Sequence, residues 1–72
     1  MNNQVQLNNE ATYPVFLVGD KVKKVGGNYQ ATGYIVGAFS TRAGRRRYVF
    51  EFEDFPGMLH IFHGGQLESI NV

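Results

Sequence analysis

Seventy-two residues with seven Lys or Arg against six Asp or Glu give a formal charge of +1, too near neutral to mark the chain for nucleic acid or an anionic membrane on that ground. Cysteine is absent, which excludes disulfide staples, thiolate metal sites and a cysteine nucleophile. A chain this short buries a modest share of its surface, so its stability has to come from its six Phe and four Tyr or from association between copies.

Residues 1–14 are rich in Asn and Gln, carry one charge at Glu10 and show no sustained periodicity. They are expected to form a flexible polar arm ahead of a single domain over 15–72; the alternative is a short added strand using Val5 and Leu7. No positive n-region or long apolar stretch follows Met1, so neither a secretory signal nor a membrane span is expected, and the cytoplasm is the default location.

From Val15 onward β-branched and aromatic residues dominate, with glycines at short spacings, which predicts short strands and no helix. The first strand is placed at Asp20–Val25, and Gly26-Gly27-Asn28 supplies the following turn because these residues accept positive φ. A second strand is expected over Thr32–Thr41, curved at Gly33 and Gly37, and Arg42-Ala43-Gly44-Arg45 forms a hairpin tip. The third, Arg46–Glu53, alternates Tyr48, Phe50 and Phe52 with Arg47, Val49, Glu51 and Glu53. Pro56-Gly57 then turns the chain into a fourth strand, Met58–His63. A 3₁₀ turn over Gly64–Leu67 and a last strand, Glu68–Val72, complete the set. Five short curved strands lead to an expected all-β fold, a small five-stranded barrel whose closure removes exposed edges.

Within the fourth strand, period two separates Leu59 and Ile61 from His60 and Phe62. Aliphatic residues are expected to face the core, leaving His60 and Phe62 on a contact surface. The same alternation sends His60 and His63 to opposite faces, so no metal site is expected. Lys21, Lys23 and Lys24 lie on a strand edge, where lysines commonly guard against pairing, and at least one is available to an anionic ligand. Arg42, Arg45, Arg46 and Arg47 suit phosphate, but Glu51 and Glu53 follow at once. Dinucleotide-binding and phosphate-binding glycine motifs are missing, and neither Ser40 nor Ser69 has a nearby base.

The ordered segments Gly19-Asp20-Lys21-Val22-Lys23-Lys24, Gly33-Tyr34-Ile35-Val36-Gly37, Tyr48-Val49-Phe50-Glu51 and Phe55-Pro56-Gly57-Met58-Leu59-His60-Ile61-Phe62, with Leu67-Glu68, resemble the plasmid-borne type II dihydrofolate reductases over about Val18 to Asn71. The resemblance implies an SH3-like barrel, a disordered N-terminal arm and a homotetramer around a central pore. There NADPH and the pterin ring of dihydrofolate meet on the same strand from each copy. It gives Ile61 the place of an isoleucine whose backbone contacts nicotinamide and pterin, and Lys24 that of a lysine meeting the anionic tails of both ligands. Leu59 replaces a neighbouring valine, His60 stands where the family has glutamine, and Phe62 where it has tyrosine. His60 and Ile61 are therefore the expected catalytic residues, with Lys24, Leu59 and Phe62 completing the ligand site.

Catalysis in that setting comes mainly from bringing cofactor and substrate together. Neutral imidazole offers one donor and one acceptor where the amide offers both in a fixed arrangement, so His60 retains the means to bind a flat heterocycle. The competing expectation is a non-catalytic oligomeric module for an anionic or heterocyclic ligand or a protein partner. Nucleic-acid binding through Lys21, Lys23 and the arginine tip ranks below both.

Overall fold

A computed structural model describes residues 13–70. Five strands follow in chain order: β1 (Lys21–Lys24), β2 (Ala31–Ser40), β3 (Arg46–Phe52), β4 (Leu59–Phe62) and β5 (Leu67–Ser69), with a 3₁₀ turn at Gly64–Gln66 before the last. All pairings are antiparallel, and the sheet order is β4-β3-β2-β1-β5. The strands lie close to where the sequence predicted them: β1, β3 and β4 are one residue or two shorter, and β2 is shifted one residue toward the N-terminus. β5 begins one residue earlier than expected and ends at Ser69, with residues 71–72 of the expected strand outside the described residues.

The expected closed barrel is not formed. Closure requires the two edge strands to pair, and β4 and β5 pair only with β3 and β1 respectively. They are four and three residues long, too short to carry a ladder across the remaining gap. The sheet instead bends over one core, helped by a register shift between Ile35 and Gly37, where β2 carries one more residue than β3. Such a bulge increases local bend and twist.

The buried face gathers Phe16, Val22, Ile35, Tyr48, Phe50, Phe52, Phe62 and Leu67. Phe50 is central, meeting Phe52 and Phe62 edge-on at ring separations of 5.0 and 5.4 Å, the geometry that aromatic quadrupoles favour. Alternation in β3 predicted Tyr48, Phe50 and Phe52 on one face, and all three are buried. Phe16 enters from the segment before β1 and packs edge-on against Tyr48. Its backbone N–H donates to the Tyr48 hydroxyl at 3.1 Å. Tyr48→Phe is thus expected to strand a buried donor and lower stability by about 1–3 kcal/mol, as measured by urea unfolding.

The β2–β3 hairpin closes over Arg42–Arg45: Thr41 N–H donates to Arg45 C=O and Gly44 N–H to Thr41 C=O, both at 2.8 Å. Gly44 takes φ +82° there, a value that suits glycine. The arm expected over residues 1–14 lies outside the described residues up to Thr12, as does the alternative strand at Val5 and Leu7. Tyr13 is described, and its ring stacks on His63 at 5.4 Å. No helix among the described residues is long and apolar enough to cross a membrane.

Candidate functional site

β4 has the inverse orientation of the one its composition suggested. Its register pairs Tyr48 with Phe62, Val49 with Ile61, Phe50 with His60 and Glu51 with Leu59, and directly opposed residues share a face. Because Tyr48 and Phe50 point into the core, Phe62 goes inward with them and is 3% exposed, while Leu59 and Ile61 point outward at 54% and 53%. A four-residue strand with an apolar residue in three places has two workable orientations, and the larger ring wins the core position beside Phe50. Phe62 is therefore a core residue, not the solvent-facing wall residue expected from the sequence.

His60 lies on the core side but at the rim, exposed, with its ring stacked on Phe62 at 4.6 Å. No hydrogen bond or ion pair engages its imidazole among the described residues, so both ring nitrogens face possible ligands. His63 differs. Its Nδ1 accepts the Gly65 N–H at 3.1 Å, and its own N–H donates to Gln66 Oε1, so it caps the 3₁₀ turn. The two histidines have separate duties, and no group of three or more potential metal ligands occurs among the described residues.

Lys24 is also inward, 5% exposed. The clue was its shared parity with Val22, a core residue. Its ammonium donates to Gly26 C=O at 2.7 Å and to Tyr29 C=O at 3.0 Å. It also lies 3.9 Å from the Tyr29 ring centroid, where a cation gains from the ring face. This group closes the β1–β2 turn and is held away from the anionic ligand expected for it. Lys24→Met is expected to leave two carbonyls without their donor and to lower stability by about 1–3 kcal/mol, read as a lowered Tm.

The outer face of the sheet carries Leu59 and Ile61 from β4, Val49 from β3 and Tyr34 from β2. Lys21 and Lys23 of β1 stand on the same side, opposite Tyr34 and Thr32. Both lysines are exposed and pair with acids, Lys21 with Glu53 at 3.4 Å and Lys23 with Glu68 at 3.8 Å. Exposed pairs of this kind are weak and exchange readily. Three strand spacings of about 4.8 Å separate β4 from β1, so one face offers an apolar platform at one side and cations roughly 14 Å away.

A second feature is a groove of about 460 Å³ at the end of the sheet, walled by Tyr29, Phe52, Asp54, Phe55, Met58 and His60 among others. Its size falls in the range of small-ligand sites. Of its lining, sequence reasoning singled out only Leu59 and His60 as site residues. The available signal was Phe55, an aromatic inside the Asp54–Gly57 turn that turn chemistry does not require.

No protein-family model matches the chain, and no curated protein matches it.

Proposed function

We propose that this chain is the subunit of an oligomeric NADPH-dependent reductase acting on a dihydrofolate-like pterin, with the β4 strands of several copies lining a shared cavity. The supporting observation is the outward display of Leu59 and Ile61 on an edge strand that has no charge, proline or bulge to guard it. Natural edge strands are normally protected in one of those ways or by being very short; at four residues β4 has only its shortness, which leaves the apolar side chains uncovered. A single copy offers an open face and no enclosed cleft there, so a water-poor site for two flat rings needs more than one β4.

The donor set suits a nicotinamide dinucleotide in kind. Lys21 and Lys23 provide exposed cations for phosphates, and Ile61 with Leu59 provides apolar contact for a flat ring. NADPH, when bound, would supply a hydride for C6 of the pterin, with the accompanying proton at N5 drawn from water. The chain's part is to hold both rings against Ile61 and Leu59 and to exclude water, while His60, on the opposite face of β4, borders the groove at the strand's end. Lys24 acts indirectly by fixing the turn that carries Tyr29.

The burial of Lys24 favours a second reading, a non-catalytic assembly that binds a flat anionic ligand through the same face. One measurement divides the two: NADPH oxidation strictly dependent on dihydrofolate, followed on protein whose solution mass is determined in the same sample. The reductase reading expects turnover by an oligomer and its loss in Ile61→Ala with folding intact. An oligomer that neither turns over nor binds NADPH sinks it, and a monomer removes both readings.

A further inference from the structure

Charge in this molecule is segregated along β3. Arg42, Arg45, Arg46 and Arg47 cluster at its start, and Glu51, Glu53 and Asp54 at its end. At the acidic end, most carboxylates are already engaged: Glu51 accepts the Gly57 N–H at 2.8 Å and Glu53 pairs with Lys21. Elsewhere Asp20 accepts the Leu17 N–H and Glu68 pairs with Lys23. Among the described residues, Asp54 alone of the carboxylates has no hydrogen bond or ion pair. It lines the aromatic groove, with Tyr29, Phe55 and His60 around it.

A carboxylate set among exposed aromatic rings matches the chemistry of guanidinium. That group pairs with a carboxylate through two parallel N–H donors and lies flat against ring faces. The same chain displays such groups on a rigid support. The hairpin tip is tied by Thr41 and Arg45 backbone bonds and by Arg45 N–H to Thr41 Oγ1 at 3.2 Å, and Arg42 and Arg45 are exposed on it. The two features sit at opposite ends of β3 and cannot meet within one copy.

We infer that the groove receives the arginine hairpin tip of a second copy, with Arg42 or Arg45 paired to Asp54 and stacked among Tyr29 and Phe55. The contact is head to tail, because tip and groove are different surfaces, and repeated it produces a closed ring or an open chain of copies. It does not rest on the reductase reading, since Ile61 takes no part in it, although Leu59 and His60 also border the groove.

The test uses the full-length chain carrying Ile61→Asp, which removes association through the outer face of β4 and leaves tip and groove untouched. Mass is measured by sedimentation over a wide concentration range. The expected result is an associating parent, with Asp54→Arg alone and Arg42→Glu/Arg45→Glu together each reduced to monomer. An equimolar mixture of those two variants regains the parent mass, because each tip then meets a groove of opposite charge. All three residues are exposed, and circular dichroism checks that the variants fold; should one fail, Asp54→Asn and a salt titration take its place. A monomeric parent, association indifferent to Asp54 or to salt, or a folded mixture that stays monomeric overturns the inference. So does association that arises only after residues 1–12 are removed, which makes that segment the occupant.

Discussion

Gly33→Ala is expected to abolish folding. A Cβ built on Gly33 runs into the backbone carbonyl oxygen of Glu51 and reaches within 2.6 Å of Phe50 Cζ and 2.8 Å of Cε1. Gly33 pairs directly with Phe52 in the β2–β3 ladder and with Val22 across β1, so it is held on both sides and cannot step away. The Phe50 ring is the centre of the aromatic core and is fully buried, with neighbours that block its retreat. Overpacking a close-fitting core ordinarily costs about 1–3 kcal/mol and occasionally more. Here backbone and ring clash together, and a chain of this size has a total stability of roughly 4–10 kcal/mol. The expected result is loss of the cooperative thermal transition in Gly33→Ala; an unfolding midpoint close to that of the parent would contradict the packing described.

Phe62→Ala is expected to lose about 3–5 kcal/mol of stability, the usual loss when a buried phenylalanine is truncated. The ring touches Phe50 edge-on and His60 face to face, so its removal opens a cavity at the middle of the core and frees the His60 ring. Its neighbour gives the contrast. Ile61→Ala shortens a half-exposed side chain on the other face, and unfolding free energy is expected to change by no more than about 0.5 kcal/mol. Denaturant melts of the two variants at equal concentration settle the orientation of β4. If Ile61→Ala is the more damaging, then the aliphatic pair and not Phe62 supplies the core.

Much of the fold was legible in the sequence because alternation in β3 is unambiguous: only one face of Arg46–Phe52 is aromatic. The turns were legible too, since Gly26-Gly27-Asn28, Ala43-Gly44 and Pro56-Gly57 mark them by backbone chemistry. Closure was not legible. Whether two edges meet depends on the length of β4 and β5 and on the bend at Ile35–Gly37, and none of these follows from local pattern. The orientation of β4 was hidden because Leu59-His60-Ile61-Phe62 presents apolar groups on both faces, and only its pairing with Tyr48 and Phe50 decides between them.

The candidate site divides along the same line. Leu59, His60 and Ile61 are accessible, whereas Lys24 and Phe62 belong to the interior. A resemblance in residue order carries identity and spacing, but it does not carry direction, and direction separates a side chain that meets a ligand from one that supports it. Asp54 and Phe55 read in the sequence as an acidic group and a turn, not as a site, because a turn offers no periodicity against which an extra aromatic stands out.

The unjoined edges of the sheet also govern the order of folding. The β2–β3 hairpin joins neighbouring segments through a tight tip, a local contact with a small loop-closure cost. The β1–β5 pair joins segments near opposite ends of the described chain through three paired positions and is locked to nothing on its far side. Refolding is therefore expected to begin at the hairpin and end when β5 docks on β1. Among the hydrogen-bonded strand amides, those of β5 are expected to exchange with solvent first, long before those of β2 and β3.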